Sequence, residues 1–213
     1  MSSLIDPRDG SPLCDAEPVT QPVPASRTRP PSPFALLGVK VGSMWIVEGA
    51  DQAVLDQRLD QAGIVPRELD GLPGVLWAPF LHYGFGHLLA NTVPLLVLGG
   101  LVAIKGTTRF LEVTIGVILL GGLGTWLFGR SGVHLGASGI VFGYFGYLVA
   151  AALFERKLRS ILLGLTALVL YGGLVWGVVP TTERVSWEGH LAGLVAGVFV
   201  AWYVTRDRRP RRV

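Results

Sequence analysis

Sulfur and charge are both scarce in this chain. There is one cysteine, Cys14, so neither a disulfide framework nor a thiolate metal site can be built. Charged side chains make up 15% of the 213 residues, against about 25% in an ordinary soluble domain. No apolar run precedes Phe34, so nothing resembles the hydrophobic core of a secretory signal peptide. The net charge of +3 and pI near 9.3 raise the question of nucleic acid. The arginines, however, stand at the ends of apolar runs, a pattern of membrane topology rather than of a phosphate-binding face. Nucleic acid is therefore not an expected partner.

What the chain has instead is apolar surface. Half of its residues are hydrophobic and 29 are glycine, and the mean hydropathy is +0.51. That combination fits helices packed closely within lipid. Residues 1–32, rich in Pro, Ser and charge, are expected to be a disordered cytoplasmic tail. Six apolar runs follow: Phe34–Gly49, Leu88–Ile104, Phe110–Phe128, Gly136–Phe154, Ile161–Val179 and Leu191–Thr205. With flanking residues they approach the roughly 20 residues that cross a bilayer. The expected fold is an all-α polytopic membrane protein, a six-helix bundle over residues 33–206 followed by a basic tail, 207–213. The first run is the weakest, with Lys40 inside it and Glu48 at its end. Lys40 is left to snorkel or to face a partner helix.

Charge bias orients the six runs. With the N-terminus inside, thirteen Lys and Arg residues fall in cytoplasmic segments, while only Arg58, Arg67, Arg130 and Arg184 fall outside. This predicts a multi-pass protein of the cell membrane with both termini cytoplasmic. The run Arg206–Arg212 reads as a topology anchor with affinity for anionic lipid. The long outer loop, residues 50–80, is acidic through Asp51, Asp56, Asp60, Glu68 and Asp70. Two readings fit it: an amphipathic helix over Asp51–Gln61 with Gly71–Phe80 half-sunk in the interface, or a plain solvated loop.

In this topology the second, fourth and sixth spans all run inward. His87 and Asn91 begin the second, Ser138 the fourth and His190 the sixth, so the four lie within about two turns of one surface. Asn91 is one turn below His87 on the same helix face. His190, Gly193 and Gly197 also share a face, and the fourth span offers Gly139, Gly143 and Gly146. Small-xxx-small patterns let backbones approach, so spans four and six are expected to cross closely and bring His190 to Ser138. Phe142, one turn below Ser138, would then lie under the imidazole.

Those residue types suit acyl transfer. A serine hydroxyl needs an adjacent base, and neutral His is the usual one. The oxyanion formed by attack on an amide needs preorganised donors, which the Asn91 amide, a His87 N–H and the Ser138 backbone N–H can supply. Glu188 lies on nearly the opposite face from His190, so a dyad is expected rather than a triad. No cofactor is implied.

Three spaced motifs then acquire a family. His82-xxxx-His87-xxx-Asn91, Gly136-Ala137-Ser138-Gly139 and Gly189-His190-Leu191-Ala192-Gly193 resemble the signature elements of rhomboid intramembrane serine proteases, in the family's order, across residues 34 to 205. The resemblance implies that Ser138 is the nucleophile, His190 the general base and acid, and His87 and Asn91 parts of the oxyanion hole. It implies transmembrane proteins as substrates, cut near the outer face at small residues. Two features depart from the family. Phe142 stands where many members carry Tyr, and the Trp-Arg pair of the first loop is absent, since Arg67 and Trp77 are too far apart to replace it.

Other readings compete. A catalytically silent relative would bind transmembrane helices without cutting them, but such relatives tend to lose the Ser and His retained here. A small transporter would carry its polar residues near the midplane of several spans. Four histidines near one surface suggest a metal, yet no acidic or Cys ligand accompanies them at helical spacing. His82 is expected to order the loop or hold water beside the site, and His134 to be a loop residue. Oligomeric state cannot be read from the sequence.

Overall fold

A computed structural model describes residues 31–180 and 185–206. The N-terminal tail through residue 30, with Cys14, and the basic tail 207–213 lie outside the described residues. The apolar runs become helices, four of them a few residues longer than the run, α5 one residue shorter and α6 cut short at Tyr171. They are α1 (Pro33–Ala53), α3 (Gly84–Ala103), α4 (Thr107–Phe128), α5 (Ser138–Glu155), α6 (Leu158–Tyr171) and α7 (Trp187–Arg206), with a four-residue α2 (Gly74–Trp77) in the long first connection. Pro33 opens α1, where its missing N–H costs nothing. Gly106 at φ +99° turns α3 into α4, and Arg156 at φ +52° ends α5.

Five stretches among the described residues are long and apolar enough to cross a membrane: α3, α4, α5, α7, and α6 continued by a 3₁₀ segment to Val178. The chain is thus an all-α polytopic membrane bundle. The sixth long helix, α1, has 21 residues but buries Lys40, Glu48 and Asp51. Its charges point inward: Lys40 Nζ sits 4.3 Å from the centre of the Phe80 ring. Lys40 therefore faces the first connection rather than snorkelling to a helix end.

The bundle's interior and exterior are both apolar. Met44, Leu88, Leu95, Leu98, Val113, Tyr144 and Tyr147 are inaccessible, while Leu89, Val93, Ile115, Leu162 and Val169 are exposed. With lipid outside, hydrophobicity cannot sort the faces, so packing rests on small residues and polar contacts. Nowhere is this clearer than where α5 meets α7, its largest packing partner. A β-carbon added at Gly193 would stand 2.1 Å from the Gly139 carbonyl oxygen, and one at Gly197 would stand 2.0 Å from that of Gly143. One turn further, a β-carbon at Gly146 would meet the Leu194 carbonyl oxygen at 2.5 Å. At the bundle end away from Ser138, Lys105 Nζ donates to both Glu155 oxygens at 2.9 and 3.0 Å and to Ser160 Oγ at 3.0 Å, tying α3, α5 and α6 together.

The first connection has a core of its own, in which Ile64, Val75, Ala78 and Leu81 pack with Leu135. The amphipathic helix that was one of the two readings of Asp51–Gln61 does not form. Instead α1 runs on to Ala53, Asp56 and Gln57 take positive φ, and a 3₁₀ turn covers Arg58–Ala62. The cause is local: an Asp51 carboxylate oxygen accepts the Leu59 N–H at 3.0 Å and folds the chain back. Gly71–Phe80, read from sequence as a mixed apolar and turn segment, forms α2 between two 3₁₀ turns. Arg67 is tied to the end of α4, its Nη1 donating to the Gly129 carbonyl at 2.7 Å.

Burial, with Asp51 and Glu48 nearby, raises the Asp60 carboxyl from 3.8 to about 6. The folded chain holds that proton more tightly than the unfolded one. The group's contribution to stability is therefore present below about pH 4 and is lost as pH rises through about 6. In detergent, Asp60→Asn is expected to melt above the wild type at pH 7.5, and the gain should shrink towards pH 4. A lower melting temperature for Asp60→Asn at pH 7.5 would contradict this.

Candidate active site

Ser138 is the first residue of α5, reached through Gly136 at φ +113°. The approach is pinned on both sides. The Gly136 N–H donates to the Ala78 carbonyl at 2.9 Å, and the Ala137 N–H donates to His82 Nε2 at 3.3 Å. Both N–H groups ahead of Ser138 are thus committed. As the first residue of the helix, Ser138 keeps its own N–H free of an intrahelical partner, at the positive end of the helix dipole.

His87 and Asn91 stand over that turn. A β-carbon at Gly136 would lie 3.0 Å from His87 Nε2 and 3.9 Å from Asn91 Nδ2, so glycine is what lets the loop pass beneath them. The Tyr83 N–H donates to His87 Nδ1 at 3.3 Å. A backbone N–H can only donate, so Nδ1 accepts and the ring proton sits on Nε2. Asn91 spends one amide hydrogen on the His87 carbonyl at 3.0 Å, which orients the group and leaves a second hydrogen.

His190 lies in the first turn of α7 with its ring stacked on Phe142, centroids 4.2 Å apart and planes 9° from parallel. Its Nδ1 is 2.8 Å from the Gly177 carbonyl oxygen. A carbonyl only accepts, so the proton is on Nδ1 and Nε2 carries the lone pair. Glu188 pairs instead with Arg130 at 3.7 Å. Gly177 must be small as well: a β-carbon there would come within 2.6 Å of the Phe142 ring and 3.4 Å of His190 Nδ1. Sequence reasoning missed Gly177, which stands in a glycine-rich end of a span with no motif around it.

Ser138, His190, His87, Asn91 and Phe142 line one open cavity of about 740 Å³. His82 is behind it, buried, with its ring edge-on to His87 at 5.2 Å. Burial, and secondarily His87, lowers the His82 imidazole to about 3, so it stays neutral and able to accept. His134 also reaches the cavity wall but is tied into the surrounding loops, where it bonds Ser186. The Ser186-Trp187-Glu188-Gly189 pattern is a helix-start signal that the sequence reading passed over. Gly139, Gly193 and Gly197 do not line this cavity and belong to the α5–α7 contact. Among the described residues no group of three or more His, Cys, Asp or Glu is placed to hold a metal ion.

Residues 72–207 match the rhomboid domain family model. The chain belongs to the rhomboid family. It is similar to an uncharacterized protein of Mycobacterium tuberculosis, 45% identical over 181 residues that make up 81% of this chain and 75% of that one. An uncharacterized protein of Mycobacterium leprae is 41% identical over 178 residues, 79% of this chain and 70% of the relative. The rhomboid protease GluP of Bacillus subtilis is 32% identical over 124 residues, 57% of this chain and 24% of that protein. The match takes in the first connection from Leu72 onward together with α3 to α7, and so every rhomboid motif noted in the sequence.

His82→Leu leaves the Ala137 N–H buried without an acceptor, which costs about 1–3 kcal/mol. Chemical unfolding should show that loss, with a smaller one for His82→Gln, whose amide oxygen can still accept. Equal stability of His82→Leu and the wild type would mean that the contact does not hold the loop.

Proposed function

We propose that this protein is an intramembrane serine endopeptidase that cuts transmembrane segments of other proteins by a Ser138–His190 dyad. The observation that carries the reading is the His190 tautomer. With Nδ1–H held by the Gly177 carbonyl at 2.8 Å, Nε2 offers a lone pair to a cavity that Ser138 also lines. A backbone carbonyl thus does part of what a carboxylate does in a triad, fixing the ring's tautomer and orientation, without contributing its charge.

The steps follow from these groups. Nε2 takes the Ser138 hydroxyl proton as Oγ attacks the scissile carbonyl carbon, giving a tetrahedral oxyanion. The Ser138 N–H, His87 Nε2–H and the free Asn91 amide hydrogen receive that charge. Collapse breaks the C–N bond as His190 passes its proton to the leaving amine, leaving an acyl ester on Ser138. Water, deprotonated by Nε2, attacks the ester through a second oxyanion, and the proton returns to Ser138 Oγ. Phe142 holds the ring by stacking alone, since it has no hydroxyl to bond with.

The arginine bias supports a cell-membrane location with both termini in the cytoplasm. The cavity then opens near the outer face, where water for deacylation is available. The bilayer and transmembrane proteins are the partners in this reading.

The test uses purified protein with a fluorophosphonate probe and, separately, a model single-span substrate. The wild type is expected to label and to cleave. Ser138→Ala should do neither, and His190→Ala should lose at least about a hundredfold in rate, the usual scale for general acid–base assistance. Labelling that persists in Ser138→Ala would overturn the nucleophile. A wild type that binds the substrate helix yet neither labels nor cleaves it would be a silent member of the family.

A further inference from the structure

His134 is a buried imidazole, only 6% exposed, that the proposed mechanism does not use, and it is bonded on every side. Its backbone N–H and carbonyl pair with Ile64 of the first connection, both at 2.8 Å. Its Nε2 lies 2.9 Å from the Arg130 carbonyl oxygen and its Nδ1 lies 2.6 Å from Ser186 Oγ. The carbonyl fixes the proton on Nε2, so in the neutral ring Nδ1 accepts the Ser186 hydroxyl hydrogen. Ser186 Oγ in turn accepts the Gly189 N–H at 3.2 Å, three residues on, as an N-cap does. The Ser186 carbonyl accepts the His190 N–H at 3.1 Å. His134 stands four residues before Ser138, and Ser186 stands four before His190.

We infer that the His134–Ser186 hydrogen bond is a positioning bridge that sets the register of the Ser138 loop against the α7 helix start bearing His190. This rests on the dyad proposed above. The α5–α7 glycine contact fixes how far apart the two helices lie. It does not fix the loops that lead into α5 and α7, and loop ends are where helices fray. The bridge joins those two lead-in segments through one buried hydrogen bond, and the Ile64 pairing anchors the same residue to the first connection. Neither residue faces the reacting atoms as a base or donor, so both act through Ser138 and His190. Tilting either residue by a fraction of an ångström alters the Oγ–Nε2 approach, to which proton transfer is steeply sensitive.

The test is the rate of fluorophosphonate labelling, which requires the dyad but no substrate docking, in His134→Gln, Ser186→Ala, the double variant and Ser186→Thr. With its amide N–H on the Arg130 carbonyl, His134→Gln no longer places an acceptor at the Nδ1 position that faces Ser186. Each single loss is expected to slow labelling about tenfold, a modest share of what misalignment can cost. The double variant should be no slower than the slower single, because both remove the same bond. Ser186→Thr should restore the rate. With a single-span substrate, kcat should fall alongside labelling while KM stays near the wild-type value. Single variants that label at the wild-type rate would overturn the bridge. So would a double variant whose losses multiply, since that is the mark of a separate cap and a separate loop contact. If His134→Gln does not fold, Ser186→Ala against Ser186→Thr decides, with an equal rate for the pair overturning the inference. A wild type that does not label at all, matching Ser138→Ala, would sink the dyad itself and the bridge with it.

Discussion

Gly193 meets the Gly139 carbonyl with no space for a β-carbon, and the arrangement of α5 and α7 depends on that contact. Helices in lipid gain no hydrophobic energy by associating, since acyl chains are as apolar as the side chains they would replace. Close backbone packing is what remains, and it requires small residues in register on both helices. Gly193 and Gly197 on α7 answer Gly139 and Gly143 on α5 one turn apart. The register that satisfies both also brings the first turns of the two helices together. Phe142 and His190 stack there because the backbones beneath them already touch.

On this frame the four histidines are divided by their backbone partners. His87 and His82 take N–H groups from Tyr83 and Ala137, while His134 and His190 face carbonyls of Arg130 and Gly177. Each partner dictates which ring nitrogen bears the proton. For His87 that makes Nε2 a donor, and for His190 it makes Nε2 an acceptor, which are the opposite properties the proposed chemistry needs from two rings in one cavity. No carboxylate is needed to set either tautomer. Glu188, two residues before His190, pairs with Arg130.

The apolar runs and glycine spacing made the helices and the α5–α7 face legible, because lipid imposes length and close approach imposes small side chains. Ser138, His190, His87 and Asn91 were legible as chemistry because their types and depths coincided. The first connection was not: the fold-back at Asp51 depends on one side-chain contact with Leu59, which no periodicity encodes. Gly177 was invisible for a related reason. Its part is played by a carbonyl oxygen, which every residue has, and only the fold says whose oxygen faces the ring. Ser186 did carry a readable cap pattern, but its second partner, His134, is 52 residues away.

The central claim is that backbone contact between α5 and α7 sets the site, and Gly193→Ala tests it most directly. A single methyl there must displace the Gly139 carbonyl, one residue after Ser138, by about an ångström to relieve a 2.1 Å contact, a shift that can cost about a hundredfold in rate. Gly42→Ala, whose added carbon meets nothing within 4 Å, is the control. Fluorophosphonate labelling of the folded variants is expected to collapse in Gly193→Ala and to stay at the wild-type rate in Gly42→Ala. Gly193→Ala labelling as fast as the wild type would contradict the account.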